Sequence, residues 1–539
     1  MIAVELDFLI INGTVYDGLG GPPREVSVGI KKRRIVLDKL DTTTVTFATT
    51  QAKEVINAKG LAIAPGFIDT HSHSEFTVLA DPWQEGKLFQ GITTEINGNC
   101  GLSAAPLYGE YLAHRMDDLK EYDIPYRWNT LKEYFFILES LKPSINFATL
   151  VGHGNIRGSV MGFSDRIPSE EEIKRLCYLI EQSIEDGAIG LSTGLIYPPG
   201  IYSSTEELIK LTSHGARFSS SMNLPFIYTS HMRSESDKLI ESIEEVISVA
   251  EGSTSPVHIS HIKTAGRNNW NKIEKVLELI YDARKRGINI TADRYPYTAS
   301  STDLDSILPA WAFEGGKERE IERLRDPRTA RKIKKILAGG NGIEDIVISS
   351  VESPSRKWME GKTLKEISAE LKKDVLDFII ELLIEERLRV GAIFHSMSEE
   401  NLKRFLREPW IMIGTDSSSR SFNGPTRKGK PHPRGFGSMP RFLGYYVRDE
   451  GLLSLEEAIK RLTYLPAKTF GLKERGIIKN GAFADIVIFD PERIVDRADF
   501  SNPFLKPDGI RYVFVNGLPA IRDGEPTGIR NGAILRNGR

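Results

Sequence analysis

Eight short apolar runs recur through the middle of this chain, and most of them end in polar residues: "GFIDTHSH", "ITTEINGNC", "NFATLVGHG", "AIGLSTGL", "FIYTSHMR", "PVHISHIK", "INITADRYPY" and "IMIGTDSS". Amphipathic stretches lie between several of them. In "SEEEIKRLCYLIEQSIEDG" the residues Ile173, Leu176, Cys177, Ile180 and Ile184 fall on one helical face. Ser169 is placed to cap that helix and Gly187 to end it. Eight strand-like units separated by helices predict an α/β fold, a (β/α)8 TIM-like barrel.

The two ends of the chain read differently. "FLIINGTVYDG", "VSVGIKKRRIVLD" and "EVINAKGLAIAPG" at one end, and "GAFADIVIFD" and "RYVFVNGLPAIRDG" at the other, are short strands joined by Gly, Asn and Asp turns. With 539 residues the chain is too long for one ordinary core. The expected division is a small β-sandwich domain from residues 1–63 and 473–539, built from both chain ends, and a barrel over 64–472. A charged, helical insertion interrupts the barrel at about 303–385, after the seventh strand. A ninth strand-like run, "RVGAIFHSM", follows it without an assigned place. No run is long and apolar enough to span a bilayer. A net charge of −2 gives no reason to expect nucleic acid or an anionic membrane as partner. The start of the chain lacks a basic segment and a cleavage site, and two cysteines make no disulfide framework. The expected location is the cytoplasm.

Residues two apart in a strand face the same side. His71 and His73 therefore point together, as do His231 with Arg233 and His261 with Lys263, while His258 has the opposite parity. Cys100 ends the second run and Asp416 the eighth. Singly, each has a structural reading. Cys100 is a small buried hydrophobe, Asp416 a helix cap, and His231 and His261 are satisfied polar groups. Jointly, six donors at five strand ends, in a chain with ten histidines, point to a metal centre. Imidazole, thiolate and carboxylate suit zinc, and six donors suit two ions better than one. His153 and His395 are further residues at run ends, Cys177 reads as core, and His114, His214 and His258 as surface or structural groups.

These residues, with "PGFIDTHSHSEF", "GITTEINGNCGLSAAP", "GAIGLSTGLIYPPG", "YTSHMRSE", "HISHIK", "DRYPYTASST" and "HPRGFGSMPRFLGYYVR", resemble the N-acyl-D-amino-acid deacylases, or D-aminoacylases, of the amidohydrolase superfamily. The resemblance spans nearly the whole chain. It implies zinc, with one tight site and room for a second metal. His71, His73 and Asp416 would serve one position and His231 and His261 the other. Cys100 would take the bridging place that many amidohydrolases give to a carbamylated lysine, and the fourth run, "GLSTGL", offers no lysine. It implies attack by a zinc-bound hydroxide with Asp416 as general base and acid, on a small N-acyl amino acid whose α-carboxylate is held by Lys263, Tyr295, Ser301 and Arg434. The enzyme would act as a monomer or small homo-oligomer. Ser74-Glu75 departs from the aspartates frequent after HxH. The long basic loop "SSSRSFNGPTRKGK" makes Arg427 a rival to Arg434. Two other functions are compatible with the same fold: a cyclic-amide hydrolase of dihydroorotase or hydantoinase type, and an inactive binding protein.

Overall fold

The computed structural model describes residues 5–37, 52–340 and 342–538. The strand-turn-strand expected at the start of the chain, and the 1–63 segment, extend beyond the described residues at 1–4 and 38–51.

The eight runs form parallel strands in two sheets. Phe67–Asp69, Ile92–Asn97 and Asn146–Thr149 make a three-stranded sheet. Val151–Gly152, Gly190–Gly194, Ile227–His231, Val257–Ile259, Ile290–Arg294 and Ile411–Ile413 follow in chain order in a six-stranded one. The third run is split at Leu150, its first half pairing back and its second half forward. There the sheets meet, the Leu150 N–H donating to Asn97 O and the Ile189 N–H to Thr149 O, both at 2.9 Å. They meet again at the other edge, where the Asp416 N–H donates to His71 O at 2.8 Å and Ser72 pairs with Ser417.

Helices cover these strands, which explains why the strands are apolar throughout rather than alternating. One core joins Phe147, Val151, Leu191, Tyr228 and Val257 to helical Leu176, Ile180, Leu211, Val246 and Leu277. The helix Glu170–Asp186 has the expected ends. Ser169 Oγ accepts from the Glu172 N–H, the Glu172 carboxylate reaches back, and Gly187 terminates the helix with φ 126°. Cys177 lies half-buried at the margin of its apolar face.

A buried ion pair fixes the edge where the first and eighth strands meet. Lys87 Nζ donates to Asp69 Oδ2 at 2.6 Å, to Thr415 Oγ1 at 2.6 Å and to Ser417 O at 2.9 Å. Asp69 Oδ1 accepts from the N–H groups of Thr415 at 2.8 Å and His71 at 3.2 Å. A buried charge is tolerated only when so fully partnered. The result is that the backbone on both sides of Asp416 is tied to the segment that carries His71.

After the seventh strand the chain enters a separate body. Ala299–Asp303, Gly391–His395 and Val347–Ser350 form an antiparallel sheet, with 391–395 in the middle. The ninth run thus pairs with the strand that begins the insertion and has no place among the parallel strands. Helices Lys317–Arg325, Pro327–Leu337, Leu364–Leu371 and Val375–Glu385 pack on this sheet around their own core, which includes Leu304, Ile333, Ile348, Ile379 and Leu383.

That core contains one acidic side chain with an unpaired oxygen. Glu320 is 4% exposed and its Oε1 has no hydrogen-bond partner. Burial, and then the neighbouring Asp305 carboxylate, push the Glu320 carboxyl up to about 9. Between about pH 4.5 and about pH 9 the folded chain keeps a proton that the unfolded chain has lost. Stability therefore falls as pH rises through that window. Glu320→Gln removes the titration, so its melting temperature should exceed that of the wild type by a margin that grows from acid to alkaline pH. A scan at several pH values checks the trend.

The chain ends form two further sheets. Strands Arg34–Leu37, Val28–Lys31, Leu6–Ile11 and Ala52–Asn57 make one. Strands Glu525–Pro526, Leu518–Arg522, Ile510–Val515, Ile486–Phe489, Ala62–Pro65, Thr14–Val15 and Arg24–Glu25 make the other, interleaving both termini. Ile10, Ile30, Ile56, Ile63, Ile486, Ile488 and Phe514 share a core between them. Among the described residues no helix is long and apolar enough to cross a membrane.

Candidate metal centre

The structure brings all six donors together. Atoms of His71, His73, Cys100 and Asp416 lie within 4.8 Å of one another, and so do those of Cys100, His231 and His261. Cys100 belongs to both groups. Its Sγ is 3.2 Å from His71 Nε2 and 3.4 Å from His261 Nε2. Asp416 Oδ1 is 3.2 Å from His73 Nε2 and 3.5 Å from His71 Nε2.

Strand parity is not what aims three of these six groups. Cys100, His261 and Asp416 lie past the ends of their strands, in left-handed backbone with φ of 53°, 35° and 48°. That conformation costs about 1–2 kcal/mol for a residue with a Cβ, and such strain is held only where surrounding contacts over-determine it. Close packing supplies part of the hold on Cys100. A Cβ at Gly194, on the end of the fourth strand, would stand 2.0 Å from the Cys100 carbonyl oxygen, so only glycine lets that turn sit there.

The charges around the cluster are unequal. Burial opposes ionisation of Cys100, but His71, His261 and His231 outweigh it and hold the thiol well below its usual range. Burial also opposes ionisation of Asp416, and the Arg434, His261 and His71 charges reverse it, leaving the carboxyl well below the ordinary range. His73 and His261 respond in the opposite sense. Burial lowers both, yet the Asp416 and Cys100 contacts of His73, and the Glu235, Asp416 and Cys100 charges around His261, push each up to about 9. A divalent cation among these anions would balance the charge that otherwise draws protons onto the imidazoles. His231 is the clearest sign that these residues fit a metal. It is 5% exposed and neither ring nitrogen has a hydrogen-bond partner. An imidazole so buried is costly unless something else takes its lone pair.

Beside the cluster stand two cationic side chains, Arg434 and Lys263, close to Tyr295. Tyr295 is fully buried with an unpartnered hydroxyl. Arg434 packs its guanidinium 4.7 Å from the Tyr295 ring centroid, and Lys263 Nζ lies 5.9 Å from it. Arg434 Nη2 donates to Ser301 O at 3.1 Å, and its Nη1 is 2.8 Å from Asp416 Oδ2. Arg427, the alternative arginine, instead stacks on Phe504 at 4.8 Å.

Other residues fall outside the cluster or were not legible in advance. His153 is buried against Glu207 at 3.0 Å, His214 pairs with Glu181 at 2.7 Å, and His395 is exposed beside Phe500. His258 is fully buried, bonded to Asp293. Glu235, four residues after His231, accepts from His261 Nδ1 at 2.8 Å and from Lys263. Its spacing from His231 in "SHMRSE" was the available signal.

A model of the family described as "Amidohydrolase family" matches residues 54–521. The chain is 34% identical over 535 residues to a D-aminoacylase of Alcaligenes xylosoxydans xylosoxydans, covering 98% of this chain and 97% of its relative. Among solved structures it resembles the N-acyl-D-glutamate deacylase of Bordetella bronchiseptica, complexed with zinc and a phosphonate inhibitor that mimics the tetrahedral intermediate. There the TM-score is 0.80 at 33% identity, over 99% of this chain and 100% of the other. A D-aminoacylase with a binuclear metal centre, activated by one metal and attenuated by the second, matches with a TM-score of 0.81 at 32% identity, over 98% and 100%.

Proposed function

This chain belongs to the amidohydrolase family, among its N-acyl-D-amino-acid deacylases, and from that premise we propose how its residues divide the work. It is a metal-dependent hydrolase that cleaves the amide bond of N-acyl-D-amino acids into a carboxylate and a free D-amino acid. We read the two parallel sheets, joined at both edges, as one (β/α)8 barrel over 64–472 with an insertion near 303–385. The terminal sheets are read as one β-sandwich domain from 1–63 and 473–539. The overall composition and charge support a cytoplasmic enzyme of small molecules.

His71, His73 and Asp416 would hold one metal position, His231 and His261 the other, and Cys100 would lie between them. The orphaned ring of His231 carries this reading. We infer one tightly held zinc and a second, weaker position. Zinc bound there would make a coordinated water acidic and polarise the scissile carbonyl. Asp416 then takes the proton of the attacking water and returns it to the leaving nitrogen. Its Oδ1 faces the histidines and its Oδ2 faces Arg434, so it stands between the reacting bond and the anion pocket. Arg434, Lys263, Tyr295 and Ser301 hold the substrate α-carboxylate, the guanidinium in a fork and the others as single donors. A carboxylate arriving there draws the Arg434 charge off Asp416.

The decisive assay is release of free amino acid from N-acetyl-D- and N-acetyl-L-substrates by one preparation, with zinc per chain counted by elemental analysis. Turnover of the D forms with bound zinc supports the reading. Bound zinc with turnover of hydantoins alone would replace it by the cyclic-amide reading. For the carboxylate contact, Arg434→Ala should lower kcat/KM by about 30- to 5,000-fold, the 2–5 kcal/mol lost when one partner of a buried charge contact is removed, chiefly through KM. The N-acetyl amino acid amide, lacking the carboxylate, should lose much less, and what it loses should appear in kcat through the Arg434 contact with Asp416. An equal loss on both substrates would remove Arg434 from this role.

A further inference from the structure

One buried carboxylate touches both halves of the donor cluster. Asp293 is the last residue but one of the seventh strand, Ile290–Arg294, and is fully buried. Its Oδ1 accepts the backbone N–H of His261 at 2.8 Å. Its Oδ2 accepts from His258 Nε2 at 2.7 Å and lies 3.2 Å from His71 Nδ1. His258 is held in turn, its Nδ1 2.9 Å from Thr291 Oγ1 and its ring edge-on to Phe470.

These contacts have two consequences. A carboxylate at Nδ1 keeps the His71 proton on that nitrogen. The lone pair is then left on Nε2, the atom that faces Cys100 and Asp416. The His261 contact acts on the main chain. His261 has φ of 35°, which a residue with a Cβ keeps only under constraint, and Asp293 Oδ1 supplies that constraint at its N–H.

We propose that Asp293 is the positioning residue common to both metal positions, setting the tautomer and direction of His71 and clamping the strained backbone of His261, with His258 fixing Asp293 from behind. This rests on the metal-centre reading above. Partners of this kind typically govern metal affinity tenfold to a hundredfold, and here one carboxylate serves a donor of each group.

The test uses Asp293→Asn and His258→Gln in the full chain. Asparagine keeps an oxygen for the His261 N–H but cannot accept from two imidazoles at once. Zinc is stripped by dialysis, and its dissociation constant is measured by competition with a chromogenic chelator. The absorption bands of the cobalt-loaded protein are recorded alongside. Asp293→Asn should bind zinc about 10- to 100-fold more weakly and shift the cobalt bands, because the donor geometry has changed. His258→Gln should weaken zinc binding several-fold in the same sense. A merely structural residue would lower the melting temperature and leave the cobalt spectrum of the folded protein unmoved. Wild-type zinc affinity with an unchanged spectrum in Asp293→Asn overturns the proposal. If that variant does not fold, the same null result in His258→Gln overturns it. Failure of the wild type itself to bind zinc would instead bring down the metal-centre reading.

Discussion

Asp416→Asn should lower kcat by about 10²–10⁴, the range that a positioned general base contributes, while zinc remains bound through Cys100, His231 and His261. Asparagine keeps the size of the side chain and an oxygen toward His73, so the pocket stays filled. It cannot accept the proton of the attacking water. Asp416 is 12% exposed at the side chain, with one oxygen against imidazoles and the other against Arg434. Among the described residues no second carboxylate is placed to replace it. Glu235 is occupied by Lys263 and His261, and Asp293 by the His261 N–H and two imidazoles. Single-turnover rates on the zinc-counted variant measure the effect. A kcat within tenfold of wild type would mean that another group moves the proton.

Cys100→Ala should have the next largest effect, and on metal before chemistry. Among the described residues the thiol is the one donor shared by both groups. In the proposed centre its removal would deprive each position of a ligand and leave His71 and His261 facing a gap. Removing one partner from a buried charge cluster costs about 3–5 kcal/mol, so zinc affinity should fall by roughly two to three orders of magnitude, and turnover with it. Cys177→Ala provides the contrast, since that side chain lies half-buried at the edge of a helix, away from the donors. If Cys100→Ala retains full zinc and turnover, Cys100 is only the small buried hydrophobe that its composition alone would suggest.

Much of the architecture was legible because it depends on pattern. The apolar runs became parallel strands, and the donors at their ends converged, since parallel strands bring their ends to one side. The aim of the donors was not legible in the same way. Parity places His71 with His73, but Cys100, His261 and Asp416 are turned by left-handed backbone just beyond their strands, and no period-of-two rule reaches there. The parity of His258 set it apart from His261, which left its place beneath the donors, on Asp293, out of view. Asp293, Lys87 and Glu235 had no spacing signal strong enough to single them out. Their partners come from strands far apart in the chain, and such contacts exist only after folding. The choice between Arg427 and Arg434 had the same character. Arg427 lies in the basic loop and Arg434 opens the helix Arg434–Arg441 just after it, and only the path of the chain sends one to Phe504 and the other to Asp416.

The insertion's separate core has a bearing on how such an enzyme can diversify. Ser301 lies on Ala299–Asp303, whose neighbour is the strand Gly391–His395, and the body behind that pair is stabilised by its own apolar cluster. The six donors lie outside that cluster, on the parallel strands and the turns that follow them. With Ser301 in its proposed role at the α-carboxylate, a change in this body would reach the substrate side of the site through Ser301 and Arg434 before it reached a donor.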